Sequence, residues 1–234
     1  MNIVVPVKLV PDLVEELEIA EGGAALDTTF MRLILNELDE HAIEQAILLK
    51  ERGGGQVTVV TAHVEGADDA LYAAAAKGAD RLAPVIRGLQ PDLVLTGVQA
   101  HDDLDGSVGP LLAECLGMPY IGYVAGVTVA DGRCTARKEY PGGLIAEMEV
   151  ILPAVLGIQA SESPPRYVAV SKVRQAMKTA TIEEKAVDAL DAGGGPTVSR
   201  MFRPETGERA TMIAGDVEEI AARLVGIFKE LGVL

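Results

Sequence analysis

The sequence predicts an α/β fold: a doubly wound, mostly parallel sheet with an extended C-terminal arm and a terminal helix. Three observations predict it. Short unbroken apolar runs recur along the chain, as strands do when both faces of a parallel sheet are covered. Stretches with apolar residues at helical spacing fall between those runs, and after residue 159 the chain turns polar. With 234 residues, 49% of them hydrophobic, there is material for one sizeable core with an appendage. The expected divisions are an α/β domain over 1–159, an arm over 160–196 and a C-terminal segment over 197–234.

Asn2 to Val7, rich in β-branched residues, is strand one. A loop holding Asp12 follows, with a short hairpin around Glu21-Gly22-Gly23. Leu38 to Arg52 places Ala42, Ile43, Ala46, Ile47 and Leu49 at helical spacing, and Gly53-Gly54-Gly55 ends that helix. Gln56 to Ala62 is a second buried strand, and Ala67 to Lys77 an alanine-rich helix stopped by Gly78. Between Arg81–Ile86, which has strand character, and the strand Asp92–Thr96 stand only Arg87 to Gln90. A parallel crossover needs about a dozen residues. The reading taken is a short helix over Leu82–Leu89 and a sheet whose edge strand is lost or shortened.

Residues 97–110, GVQAHDDLDGSVGP, carry the strongest functional signal. They join a buried strand to a helix-like segment, Pro110 to Leu116, through a glycine-punctuated polar turn. In α/β folds free backbone N–H groups and the helix dipole converge at such a point and make an anion site. Asp102, Asp103 and Asp105 would repel a phosphate. The phosphate should therefore see N–H groups near Gly106, Ser107, Val108 and Gly109, helped by the Ser107 hydroxyl, while the carboxylates face ribose hydroxyls or structural donors.

Beyond the motif, Tyr120–Val129, Arg133–Glu139 and Leu144–Ile151 read as strands extending the same sheet, with turns at Asp131-Gly132 and Pro141-Gly142-Gly143. Pro153 to Ile158 is one more strand. Ala160 to Ala192 has only a weak helical period, and Gly193-Gly194-Gly195-Pro196 is a flexible break. Val217 to Leu231 aligns Ile220, Leu224, Ile227, Phe228 and Leu231 on one face, so this last helix should dock on the main sheet or on another subunit.

A net charge of −15 disfavours nucleic acid and anionic membranes, although Arg166, Lys172, Arg174 and Lys178 gather locally. No apolar stretch reaches the roughly 20 residues that span a bilayer. The two cysteines, Cys115 and Cys134, lack the spacing of a disulfide framework or zinc site, which suits a cytoplasmic protein. No catalytic acid, base or nucleophile constellation and no metal site is recognisable. The acidic cluster lacks the further ligands of a calcium loop, Gly53-Gly54-Gly55 reads as a helix end rather than a phosphate loop, and Cys115 reads as a packing residue. His101 is open to two readings, a nucleotide or flavin contact and a solvated loop histidine.

Six blocks in order resemble the β subunit of electron transfer flavoproteins along nearly the whole chain. They are VPVKLVPD, NELDEHAIEQAILLKE from Asn36 to Glu51, AAKGAD ending at Asp80, PDLVLTGVQAHDDLDGSVGP, GGLIAEMEVILPAVLGIQ and PPRYVAVSKVRQA. The resemblance implies an adenine-nucleotide alpha-hydrolase-like domain whose arm reaches around an α-subunit partner. FAD would be carried mainly by that partner, and AMP, or a second FAD in electron-bifurcating forms, would sit in this chain. The implied nucleotide contacts are Pro6, Asn36, Glu37, Leu38, Asp39, Ala62 and the run Gly97, Val98, Gln99, Ala100, His101, Asp102, Asp103, Leu104, Asp105, Gly106, Ser107, Val108, with Gly109 added from the anion-site argument. Residues 158–180 would correspond to a loop that docks acyl-CoA-type or other dehydrogenases, with Val170 as apolar anchor beside Arg166, Tyr167 and Lys172. Electrons would pass on to a quinone reductase or another acceptor. Leu13 stands where the family often has a flavin-contacting tyrosine, and Val98 where a basic residue is frequent. The alternative from another class is a free-standing adenine-nucleotide sensor.

Overall fold

A computed structural model describes residues 1–61, 81–82, 86–182, 197–204 and 210–233. Ala62, the helix expected over Ala67–Lys77 and the Gly193–Pro196 break lie outside the described residues. In chain order the elements are β1 (Asn2–Pro6), β2 (Leu9–Pro11), β3 (Leu33–Leu35), α1 (Glu37–Gly53), β4 (Gln56–Val60), β5 (Arg81–Leu82), a 3-10 turn (Arg87–Leu89) and β6 (Leu93–Gly97). There follow α2 (Val108–Leu116), β7 (Tyr120–Ala130), β8 (Arg133–Tyr140), β9 (Leu144–Ile151), β10 (Ala154–Ile158), α3 (Val170–Thr179) and α4 (Val217–Glu230).

Among the described residues eight strands form one sheet in the order β5-β4-β1-β6-β10-β7-β8-β9. Pairing is parallel from β5 to β7 and antiparallel from β7 to β9. Alternation along each strand sends its apolar residues to opposite faces. Ile3, Val5, Val57, Val59, Leu93, Leu95, Leu156 and Ile158 face Ala42, Ile43, Ala46, Ile47 and Leu49 of α1. Val4, Val60, Val94 and Val155 face the other way, onto Ala113 of α2. Both faces are therefore covered, which is why the strands read as unbroken apolar runs. From β1 the chain moves outward to β4 and β5, then returns to place β6 on the other side of β1. The order reverses between β1 and β6.

The antiparallel end follows from its turns. Asp131 and Gly132 have φ of 51° and 74°, the two left-handed positions that match hairpin twist and that Asp-Gly supplies. β9 is the last strand of the sheet among the described residues, and Leu144, Ile145 and Ile151 on it are exposed.

Three expectations are corrected. An edge strand is retained at Arg81 and Leu82, paired to Thr58 and Val59, and within the span expected to be helical the described residues show a 3-10 turn at Arg87–Leu89, with 83–85 outside the described residues. The crossover rule misled because the strand was taken to run to Ile86: with β5 given as Arg81–Leu82 and β6 starting at Leu93, ten residues rather than four are available for the connection. β2 and β3 form a small antiparallel pair, Leu9 opposite Leu35, from segments too short to show a period. Cys115 is exposed rather than packed, while Cys134 is buried.

By its contacts the chain divides into one unit of 1–18 with 26–197 and another of 19–25 with 198–234. In the second, the Gly23 N–H donates to the Ala20 carbonyl at 2.8 Å, closing the expected turn, and the Met201 N–H donates to the Gly23 carbonyl. α4 starts on a reciprocal cap: Asp216 accepts the Glu219 N–H at 2.9 Å and Glu219 accepts the Asp216 N–H at 3.3 Å. None of its residues is buried.

Candidate functional site

A crevice opens at the carboxyl ends of the strands where strand order reverses, because the connections on either side leave in opposite directions. Here that point lies between Pro6, the end of β1, and Gly97, the end of β6. α1 begins beside it. Asn36 precedes the helix, and Glu37, Leu38 and Asp39 form its first turn.

Asp39 ties the crevice together. It is buried, its Oδ2 accepts the Lys8 N–H at 2.9 Å and its Oδ1 accepts the Gly97 N–H at 3.0 Å. One carboxylate thus joins the chain leaving β1 to the end of β6. Burial pushes its pKa up to about 6, against the pull of those two N–H donors, of Asn36 and of the Lys8 charge. A Cβ on Gly97 would stand 2.4 Å from Asp39 Oδ1 and 2.9 Å from both Asp39 N and Leu38 C. Only glycine lets β6 end this close to α1.

The loop after β6 is held from several sides. The Asn36 Nδ2 donates to the Gln99 carbonyl at 2.9 Å, and the Gln99 Nε2 donates to the Leu104 carbonyl at 2.6 Å. His101 Nε2 lies 3.0 Å from the Pro11 carbonyl, which has no hydrogen to give, so the ring donates there and His101 fastens the loop to β2. Val98 and Ala100 are buried. Leu104 and Gly106 adopt φ of 54° and 66°, and a Cβ at Gly106 would come 3.1 Å from the Val98 carbonyl.

The charges in this loop are answered locally. Lys8 Nζ bridges Asp102 at 2.8 Å and Asp103 at 2.7 Å. Burial alone would lower the Lys8 pKa, but the two carboxylates outweigh it and the value is raised. The hydrogen bond from Lys8, followed by one from the Asp105 N–H, holds Asp103 below the usual carboxylate range. Asp105 accepts the Ser107 hydroxyl. Ser107 therefore makes no capping bond to α2, whose first turn contains Val108 and Gly109. First-turn N–H groups have no partner inside a helix, so this turn keeps its donors and its positive dipole end for an anion.

Under α2 lies Tyr120, which the sequence reading missed together with Lys8. A Cβ on Gly109, Gly122 or Gly157 would approach the Tyr120 hydroxyl to 2.9, 2.7 and 2.5 Å respectively. Three glycines therefore make room for one ring. The neighbouring Thr96 hydroxyl is buried and has no hydrogen-bond partner among the described residues. Lys8 had a signal, being the first charge after strand one. Tyr120 had none, since its glycines are 11, 2 and 37 residues away in sequence.

The structure brings Pro6, Asn36 to Asp39 and the ends of residues 97–109 to one crevice. Arg166, Tyr167, Val170 and Lys172 do not join it. Tyr167, Val170 and Lys172 are exposed, whereas the Arg166 guanidinium is engaged by Glu44 and Glu51 of α1. Among the described residues no group of His, Cys, Asp and Glu is arranged to hold a metal ion, and no helix is long and apolar enough to cross a membrane.

Comparison with known proteins gives the family. The model of the electron transfer flavoprotein domain matches residues 29–85 and 81–190. The chain is 36% identical to electron transfer flavoprotein subunit beta of Methylophilus methylotrophus over 98% of each chain. It is 33% identical to the subunit beta of Clostridium acetobutylicum over 98% of each, and 35% identical to that of Syntrophomonas wolfei over 76% of this chain and 77% of the relative. With the six blocks in order, a parallel sheet reversing at β1 and β6, and relatives matched end to end, the chain belongs to the electron transfer flavoprotein family, among its beta subunits.

Proposed function

We propose that this chain is half of a heterodimer with an electron transfer flavoprotein α subunit, that it holds AMP in the β1/β6 crevice, and that the pair carries electrons from dehydrogenases to a quinone reductase or another acceptor. The observation that carries the nucleotide reading is the conjunction at the switch point: α2 presents an uncapped first turn directly after the loop pinned by Asp39, Asn36 and Lys8. The residues present fit a phosphate. Lys8 offsets one of the two charges on Asp102 and Asp103, the groups that would otherwise repel it, and Gly106 and Gly109 keep side chains away from the approach.

In this reading Pro6, Asn36, Glu37, Leu38, Asp39 and residues 97–109 enclose the nucleotide, with Ala62 contributing from outside the described residues. The fold is the doubly wound, adenine-nucleotide alpha-hydrolase-like plan over 1–159. Residues 160–196 form the arm that meets acyl-CoA-type or other dehydrogenases, 197–234 form the segment that carries the terminal helix, and the pair works in the cytoplasm. FAD, held mainly by the α subunit, supplies the redox chemistry when bound. This chain's residues bind, orient and exclude water, and none acts as acid, base or nucleophile.

Purifying the complex, releasing its small molecules with acid and counting them per heterodimer tests the proposal. One flavin and one AMP are expected. Two flavins without AMP would replace the AMP reading with the electron-bifurcating form, and a nucleotide-bearing chain with neither flavin nor companion would replace it with a nucleotide sensor.

A further inference from the structure

Residues 161–166 run along α1 and are tied to it at three successive levels. At the first level His41 Nδ1 accepts the Ser161 N–H at 3.2 Å. At the second, Glu162 is clamped from two sides: Arg52 donates through both terminal nitrogens, at 3.0 and 2.8 Å, and the Gln45 Nε2 donates at 3.0 Å. Gln45 also accepts the Glu162 N–H at 3.2 Å and donates to the Val127 carbonyl at 3.2 Å, so it links strap, helix and sheet.

The third level is Arg166. Its backbone N–H donates to Glu44 Oε2 at 3.0 Å, its Nε to both Glu44 oxygens at 3.1 and 2.9 Å, and its Nη2 to Glu44 Oε1 at 2.8 Å. Its remaining reach goes to Glu51, at 2.7 Å from Nη1 and 3.2 Å from Nη2. Hydrogen bonds donated to these carboxylates, Glu51 first, outweigh the effect of burial and raise the Arg166 pKa beyond the usual range. Glu44 is 2% exposed. A glutamate that deep in an α-helix is kept only where its charge is met, and the planar fork of arginine meets two carboxylates at once as lysine does not. Glu44 and Glu51 lie seven residues, about two helical turns, apart and so share a face. Four residues after Arg166 α3 begins, with Val170 exposed on its first position.

We infer that Arg166 is a positioning residue for the arm: held by Glu44 and Glu51, it fixes where α3 leaves the α/β domain and so presents Val170 and Lys172 to a dehydrogenase without itself touching that partner. The inference rests on the reading of the arm as the dehydrogenase-docking element. It also changes what Arg166 does, from a contact offered to the partner to a fastening within this chain.

The test uses the assembled heterodimer with acyl-CoA dehydrogenase, reduced by its own substrate, as electron donor. Arg166→Lys should raise the apparent KM for the donor about tenfold while leaving kcat and flavin content unchanged. Glu51→Gln, which frees only the outer half of the clamp at an exposed position, should raise KM about threefold and guards against a folding defect in the first variant. Both should speed limited proteolysis within 161–180. Faster proteolysis with unchanged KM would overturn the inference, because the clamp would then be structural only. Val170→Asp separates the two ideas. If it raises KM and Arg166→Lys does not, the clamp inference fails and docking through the arm stands. If neither raises KM, the docking reading fails and takes the clamp inference with it.

Discussion

Replacing Gly97 by alanine probes the crevice most sharply. The new Cβ would stand 2.4 Å from Asp39 Oδ1 and 2.9 Å from Asp39 N and Leu38 C, so β6 and α1 must separate. That separation stretches the Gly97 N–H bond to Asp39, now 3.0 Å. Losing a hydrogen bond to a charged group costs about 1.5–3 kcal/mol, and overpacking adds about 1–3 kcal/mol. The loss is then about 3–6 kcal/mol, a large share of the roughly 5–15 kcal/mol that holds a domain together. At a denaturant slope of about 2 kcal/mol/M the urea midpoint of the purified complex should fall by about 1.5–3 M. Nucleotide content after gel filtration should fall with it. Adding Asp39→Ala should not rescue the variant, because two of the three close contacts are to backbone. Gly53→Ala is the control: nothing lies within 4 Å of its Cβ, and helix propensity should make it neutral or about 0.5–1 kcal/mol stabilising. A Gly97→Ala complex with wild-type midpoint and nucleotide content would refute the argument.

Asp39 should leave a signature in pH. Its folded pKa of about 6 lies above the ordinary aspartate value of 3.8, so between about pH 4 and pH 6 the native state holds a proton that the unfolded chain has lost. Stability from this group therefore falls as pH rises through that window, by about 3 kcal/mol, and is flat above it. Comparing urea midpoints of wild type and Asp39→Asn at pH 4.5 and 7.5 isolates the effect. Wild type should lose more between the two pH values, and equal losses would refute it. The cysteines offer a simpler check. Burial pushes the Cys134 thiol up to about 11, while Cys115 is exposed. A thiol reagent at pH 8 should label Cys115 in the native chain and reach Cys134 only on unfolding, so early labelling of Cys134 would contradict the fold of β8.

The sequence made the parallel strands legible because burial on both faces removes the polar alternation that would otherwise disguise them. β1, β4, β6 and β10 each read as a single apolar run, and the two hairpins announced themselves through Asp131-Gly132 and Gly142-Gly143. Elements without room for a period stayed hidden. β2 and β3 have three residues each and β5 two, so their pairing is decided by neighbours rather than by pattern. The loop at 97–109 was recognisable, but its fastenings were not. Lys8 reaches Asp102 across 94 positions, and His101 reaches Pro11 across 90. The polar face of α1 was visible in principle. His41, Glu44, Gln45, Glu51 and Arg52 fall on helical spacing, yet such residues ordinarily face solvent, and only the returning strap turns them inward.

Among the described residues β9 ends the sheet, with leucine and isoleucine side chains uncovered and an outer row of main-chain groups to which no strand is paired. Such a border invites growth by addition of further strands. Long-range repulsion should oppose it here: copies each carrying −15 charges are expected to push one another apart before their borders can meet. That protection is borrowed from the solvent. As ionic strength climbs and the screening distance shrinks from about 10 Å at 0.1 M to about 3 Å at 1 M, the same molecule becomes prone to stacking, so storage in dilute buffer should outlast storage in brine.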